Sequence, residues 1–464
     1  MILACNQSLF RGSVTELFGR QGLSISRRNA FKLALSASLI GMGRASQALE
    51  GKTVVVVGAG LAGLAAAQEL QTAGARVIVL EAGDYVGGRV KTDLTLGAPF
   101  EYGAGWIHGP SADNPIQQLA QQVGAPTVVT DDDSIDLFTF DGEDLTEADW
   151  ARFDDIYDRL DTLMARSYRM RGMSLAEAAL ELDPELLGDP IGRWMLSAYA
   201  EFDFGTGIED ISADLAFEDE AFDGADVVFT TGYDRILEPL AKGLDIRLNT
   251  PVDQIAYSDD GVTVAGIKAD YAVCTVPLGV LKAKTIGFDP ALPKPLQTAI
   301  DTLGFGTVTK LALKFDTAFW DTDTQYFGMM TEPKGRWNYW LNYRTFSSEN
   351  ILLGLSFGRY APVADRMTQD EMVADALPVL RSVWGDDVGT PTAVLSTHWS
   401  QDPLFRGAYS YPQVGGSVED YEIFQTPVQD RVFFAGEHTL FEYHSTTHGA
   451  LMSGQRAARD ILDL

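Results

Sequence analysis

Residues 54–63 read Val-Val-Val-Val-Gly-Ala-Gly-Leu-Ala-Gly, and the apolar run Arg76-Val-Ile-Val-Leu-Glu81 follows one helix length later. Four β-branched residues in a row predict a buried strand. Gly58, Gly60 and Gly63 predict a tight turn that opens a helix from Leu61 to about Leu70. The first glycine makes the turn and the second lets the backbone approach a pyrophosphate. The third lets helix and strand pack closely, and the first helical turn, with Ala62, offers free N–H groups to the anion. Glu81 closes the second strand roughly 20 residues after the glycines, where an acid accepts hydrogen bonds from an adenosine ribose. A lone glycine triad is a common turn in α/β proteins. Here strand, glycines, helix, second strand and terminal acid occur in order, and together they predict a dinucleotide site.

A second glycine pair and an arginine come next, in Gly83-Asp-Tyr-Val-Gly-Gly-Arg89. Such an arginine can stand beside phosphates and make charge-assisted bonds; otherwise it is a plain surface cation. The run from Glu81 and Ala82 to Gly88 and Arg89 resembles the second half of the FAD fingerprint of glutathione-reductase-like flavoproteins. That resemblance implies FAD rather than NAD.

The chain of 464 residues is long enough for two or more domains, and its 46% hydrophobic and 22% charged residues describe a globular protein. A net charge of −30 excludes a nucleic-acid partner, which wants a basic surface. It suits cationic ligands, and equally an acidic surface kept for solubility or a saline habitat. Cys5 and Cys274 are the only cysteines, too few for a disulfide framework. Ser26-Arg27-Arg28-Asn29-Ala30-Phe31-Lys32 precedes an uncharged stretch and then Ala45-Ser-Gln-Ala48. Residues 1–48 therefore read as a signal peptide that resembles the twin-arginine type, which implies a periplasmic or secreted enzyme; the alternative is an ordinary N-terminal tail. No apolar run is long enough for stable membrane insertion.

Helical periodicity spans Asn114 to about Ala200, and residues 216–233 are acidic. Short strands are expected at Asp245–Leu248, Val252–Tyr257, Val262–Ala265 and Tyr271–Thr275. Longer ones are expected at Lys310–Phe315, Asn338–Tyr343 and Ile351–Phe357, with a helix near 369–383. Strand Arg431–Phe434, the triplet Ala435-Gly436-Glu437 and a helix from about Gly449 close the chain. The fold class is α/β with α+β insertions. A discontinuous Rossmann-like cofactor domain comprises 49–112, 228–290 and 395–464. A substrate domain of sheet and helices comprises 113–227 and 291–394.

Several separate motifs then resemble the flavin-containing amine oxidases, a family of monoamine oxidases, polyamine oxidases and a related histone demethylase. They are the glycine triad with Glu81, Gly87-Gly88-Arg89, Gly103-Ala-Gly105-Trp106-Ile-His108-Gly and Thr275-Val-Pro-Leu-Gly-Val-Leu-Lys282. Gly304-Phe-Gly-Thr-Val-Thr-Lys310, Phe319-Trp320, Phe434-Ala-Gly436-Glu437-His-Thr and Ser445-Thr446-Thr447-His-Gly follow. The match runs from about Lys52 to the C-terminus. Its Trp-Ile-His-Gly-Pro and Ser-Thr-Thr-His-Gly segments are nearer the animal-type spermine and acetylpolyamine oxidases than the plant apoplastic type or the monoamine oxidases.

The resemblance implies roles. Lys310 would hold a water near the flavin; its other reading is a surface lysine. Glu437 would bond the ribityl or phosphate region, and Thr447 would offer backbone groups to the flavin's pyrimidine edge. Val252 would meet the adenine, or be a strand-core valine. His108 would stand near the substrate amine, or be a core histidine. Tyr409 would flank the substrate channel, with Thr446 where other members carry a second aromatic; Tyr443 or His444 would then supply that wall. Trp399 would line the cavity or the core. Glu218, Asp219 and Glu220 read as distal amine ligands or as a solvated loop. No histidine has metal-ligand spacing, so no metal is expected. The expected reaction is FAD-dependent oxidation of polyamines (spermine, spermidine or N-acetyl derivatives) to imines, with O2 reduced to H2O2. The C-terminal motifs lack cysteine, which implies non-covalent FAD. Rivals are a monoamine oxidase or an amino acid oxidase anchoring a carboxylate through Arg169, Arg171 or Arg193. A dehydrogenase with a redox partner and a non-catalytic amine-binding flavoprotein are rivals of another kind.

Overall fold

The computed structural model describes residues 49–464, so the signal-peptide reading of residues 1–48 lies outside the described residues. The Val-rich run forms strand β1 (Thr53–Val57), followed by helix α1 (Leu61–Thr72) and strand β2 (Arg76–Leu80). Together they open a five-stranded parallel sheet. Its order is Val432–Phe434, Tyr271–Cys274, β1, β2, Asp245–Arg247. The strands come from distant parts of the chain, so the cofactor sheet is assembled discontinuously.

An all-apolar strand needs cover on both faces. Val54 and Val56 pack with α1 and with the C-terminal helix Thr447–Leu462. Val55 and Val57 face a layer that contains the small sheet of Gln254–Ser258, Gly261–Val264, Ile267–Ala269 and Gly287–Asp289. The helix layer is thin because its residues are small. A Cβ on Gly63 would come within 2.0 Å of the Gly58 carbonyl oxygen, and one on Gly454 within 2.1 Å of the Ala62 carbonyl oxygen.

The second body is a six-stranded sheet, ordered Ala393–Ser396, Thr309–Lys314, Ile351–Ser356, Tyr339–Asn342, Tyr326–Met329, Ile135–Phe138. One face, with Ala312, Leu341 and Leu353, packs on the helices Glu147–Ser167, Leu175–Leu182 and Pro190–Leu196. The other, with Leu311, Leu313 and Trp340, packs on helix Gln369–Trp384.

The region 114–200 is not continuously helical, because strands Thr127–Val129 and Ile135–Phe138 interrupt it, and Val227–Phe229 lies within the acidic stretch. Strands of three or four residues are too short to show an alternation. Val252 precedes its strand, which begins at Gln254. The last helix starts at Thr447 rather than Gly449, because Thr446 caps it by accepting from the Gly449 N–H.

A Gly454→Val substitution is expected to push the last helix off α1. Overpacking of this kind costs about 1–3 kcal/mol, read as a lowered urea midpoint. An unchanged midpoint would show that the helix pair has room to separate.

Candidate active site

The C-terminal ends of β1, Tyr271–Cys274 and Val432–Phe434 open onto a cavity of about 270 Å³ that also touches the second sheet at Lys310. Open α/β sheets bind ligands outside these strand ends. Gly58, Gly60, Ala62, Glu81, Ala82, Gly88 and Val252 all line it. Gly58 adopts φ +105, and a Cβ there would stand 2.6 Å from Thr275 Oγ1, whose hydroxyl donates to the Val57 carbonyl. Gly63 lies behind the lining, where its missing side chain lets α1 reach the turn. No side chain caps α1 at Gly60. Glu81 Oε2 accepts from Ala59 N at 2.8 Å and Oε1 from Gly83 N at 2.7 Å, which fixes its carboxylate on the cavity wall.

Arg89 and Glu437 meet beside the cavity. Arg89 Nη1 donates to Glu437 Oε1 and to the Ala408 carbonyl, both at 2.8 Å. Glu437 Oε2 accepts from Ser410 Oγ at 2.6 Å and from Ser445 N at 3.1 Å. Arg89 is therefore neither a free surface cation nor an unpaired phosphate ligand. Both oxygens of Glu437 serve protein donors, and the carboxylate lines the cavity. Burial pushes the Glu437 carboxyl up, but Arg89, His438 and Ser410 outweigh it and hold it at about 2.

Lys310 projects from the central strand Thr309–Lys314 into the cavity and is buried. Its Nζ donates to the carbonyls of Gly103 at 2.6 Å and Glu101 at 3.0 Å, and sits 5.7 Å from the Trp106 ring centroid. Burial lowers its ammonium to about 8, against the pull of the Glu101 carboxylate. Gly105 lies beside it: a Cβ there would stand 3.6 Å from Nζ, an ordinary contact.

His108 lies just past strand Trp106–Ile107, which pairs with Val227–Phe229. That pairing brings Asp226 to His108, with Nδ1 and Oδ2 2.5 Å apart. The carboxylate accepts, so Nδ1 carries a proton and Nε2 is the ring nitrogen that Asp226 leaves free. Asp226 Oδ1 also accepts from Gly109 N at 3.2 Å. Nothing in the local sequence marks Asp226, because its partner lies 118 residues away.

Trp399 and Tyr409 line the cavity; Trp399 Nε1 donates to the Tyr102 carbonyl at 2.8 Å, and the Tyr409 hydroxyl donates to the Phe202 carbonyl. The remaining aromatic walls are Tyr102, Trp106, Phe202 and Phe405. Tyr443 and His444 are absent from that lining. Tyr443 stacks on Phe222, and His444 stacks on Phe441 while its Nδ1 bonds the Phe441 carbonyl. The second wall expected from them comes instead from Phe202, held at the end of a π-helical turn over Ser197–Glu201. Gly436, Thr446 and Thr447 line the cavity at the head of the last helix, where Thr447 Oγ1 bonds the Tyr233 hydroxyl at 2.8 Å. Glu218, Asp219, Glu220, Arg169, Arg171 and Arg193 do not line it, and Arg193 pairs with Glu332. Among the described residues no group of three or more His, Cys, Asp or Glu could hold a metal, and no helix is long and apolar enough to cross a membrane.

The family model described as flavin containing amine oxidoreductase matches residues 61–462. The chain belongs to this family. It is 32% identical to polyamine oxidase 4 of Oryza sativa subsp. japonica, over 88% of each chain. It is 36% identical to lysine-specific histone demethylase 1 homolog 1 of Arabidopsis thaliana, over 90% of this chain and 53% of that protein. The fold is similar to that of a putrescine oxidase solved with bound putrescine, at TM-score 0.72 and 23% identity, over 89% of this chain and 99% of the other. The cofactor of this amine oxidoreductase is FAD. The residues fit it: the uncapped helix α1, the side-chain-free turn at Gly58 and Gly60, and the anchored Glu81 form a dinucleotide cradle.

Glu437 is held below its ordinary value, so it stabilises the fold fully above about pH 4.5, and that stabilisation is lost as pH falls toward 2. Flavin retention and the unfolding midpoint should fall together through that window. Glu437→Gln should leave Arg89 without its counter-charge, cost roughly 3 kcal/mol, and flatten the acid limb. An acid limb unchanged in the variant would refute this role.

Proposed function

We propose that this FAD-dependent amine oxidase acts on polyamines or diamines, oxidising a carbon next to an amine nitrogen. The observation that carries the reading is the buried Lys310 ammonium in one cavity with an Asp226-oriented His108 and aromatic walls. Bound FAD would accept the hydride, and with it the two electrons, from the substrate carbon. The protein supplies orientation, a route for protons and a dry surround. His108 Nε2 accepts from the incoming amine, which must reach the reaction neutral. Trp106, Phe202, Trp399 and Tyr409 flank the methylene chain and exclude water. Lys310, with two of its three N–H groups on backbone carbonyls, holds its last donor for a water molecule. The imine product is hydrolysed to an aldehyde and an amine, and O2 accepts the electrons to give H2O2.

The carboxylate of an amino acid needs a cation, typically a bidentate arginine. The arginine lining this cavity is Arg89, whose charge is matched by Glu437. That pairing favours amines over amino acids.

Peroxide release with spermine, spermidine, N-acetylspermine, putrescine, tyramine and leucine tests the reading. Turnover is expected with a polyamine or diamine, and Lys310→Met should slow it about a hundredfold with FAD retained. Activity on tyramine or leucine alone would sink the assignment. We further propose export by the twin-arginine route, on the strength of Ser26-Arg27-Arg28-Asn29-Ala30-Phe31-Lys32. Arg27→Lys with Arg28→Lys should hold the activity in the cytoplasm; activity still found outside it would count against that route.

A further inference from the structure

Lys310 is held by acceptors on an irregular stretch of chain. Its Nζ donates to the carbonyls of Glu101 and Gly103, and the Tyr102 carbonyl between them accepts from Trp399 Nε1 at 2.8 Å. Tyr102 to Gly105 belong to no helix or strand, so the place of these carbonyls depends on what fixes the Trp399 indole. Trp399 itself sits in a turn just past the strand Ala393–Ser396.

Behind both residues stands Asp365, at the end of the short helix Ala361–Ala364. It is 0% exposed and does not line the cavity. Its Oδ2 accepts from Ser400 N at 2.8 Å and from Ser400 Oγ at 2.5 Å. Thr309 Oγ1, which donates to the Ala361 carbonyl at 2.9 Å, stands 3.4 Å from Oδ1. The Asp365 carbonyl accepts from His398 Nδ1 at 3.0 Å. The carboxylate therefore grips the residue after Trp399 and stands against the residue before Lys310. Thr397 ties the two segments together: its Oγ1 accepts from Lys310 N at 2.9 Å, and its N donates to the Lys310 carbonyl at 3.0 Å. The contacts close a circuit that runs from Asp365 through Ser400, Trp399 and the Tyr102 stretch to Lys310, and back through Thr309.

A carboxylate with no exposure is costly unless donors meet it. A buried polar network whose members are satisfied imposes one arrangement on the side chains around it. Here the side chains at the far end of the network are the two that face the cavity.

We infer that Asp365 is a positioning residue: through Ser400 and Thr309 it fixes where the Trp399 indole and the Lys310 ammonium stand. The inference rests on the amine-oxidase reading only for the use made of Lys310; the placement stands without it.

The test is acetylation of the FAD-loaded enzyme by N-acetoxysuccinimide at fixed pH, with the rate at each lysine read by peptide mass. Lys282 is the internal reference, because its Nζ is likewise held by carbonyls, those of Ile300, Asp301 and Leu303, in another part of the fold. Asp365→Leu should raise the rate at Lys310 about tenfold, the ratio that loss of one hydrogen bond gives, and leave Lys282 unchanged. Asp365→Asn keeps an acceptor for Ser400 and should restore most of the protection. Trp399→Phe deletes the link to Tyr102 and should raise the Lys310 rate alike, with little further rise when Asp365→Leu is added. Ser400→Ala removes one donor and keeps the carboxylate; a smaller rise at Lys310 alone is expected, and it decides the matter if Asp365→Leu does not fold. An unchanged Lys310 rate, or an equal rise at Lys282, would overturn the assignment and leave Asp365 a general support of the fold. Amine turnover by the same variants reads the catalytic proposal separately: a loosened Lys310 with full turnover keeps the positioning role and removes Lys310 from the chemistry.

Discussion

The pair of half-buried Arg89 and buried Glu437 joins residues 348 positions apart in sequence. Around it converge the glycine-rich loop after β2, the segment Ala408–Ser410 and the loop into the last helix, at Ser445. A cofactor domain built from separated segments needs such a clasp, because no local propensity brings its first and last parts together. An ion pair of this kind persists only where its remaining valences are satisfied, and Ser410, Ser445 and the Ala408 carbonyl satisfy them. The clasp also sets where the cavity lies, between the ends of the parallel strands and the second sheet that carries Lys310.

What could be read from sequence followed from local constraints. The turn at Gly58 and Gly63 is legible because contact with Thr275 Oγ1 and with the Gly58 carbonyl leaves no room for a side chain. The strand at Lys310 is legible because its neighbours alternate between two cores. Asp226 and Phe202 were not legible, since they reach the site through pairings of very short strands and through a π-helical turn. Tyr443 and His444 show the converse. They sit beside site residues in sequence, yet a tight turn aims both into aromatic packing. Proximity along the chain is a poor guide where the backbone reverses every few residues.

The functional carboxylates are divided by their surroundings. Glu437 is surrounded by donors and stays ionised, while Glu101, slightly less buried but with fewer donors, is pushed up to about 7. Glu101 accepts from Thr92 Oγ1 and Tyr233 N, and its backbone carbonyl accepts from Lys310. One residue thus anchors the lysine through its main chain and adjusts its charge through its side chain.

A cationic lysine in a site for cationic substrates looks self-defeating, yet it supplies the polarity the reaction requires. Below about pH 8 Lys310 is protonated, so an ammonium group next to it is repelled and a neutral amine is not. Only the neutral amine has the nitrogen lone pair that stabilises charge developing on the adjacent carbon. Away from Lys310, Asp226 holds His108 at the cavity wall. The net charge of −30 brings cations to the surface, and the Lys310 ammonium selects the neutral nitrogen at the reacting end.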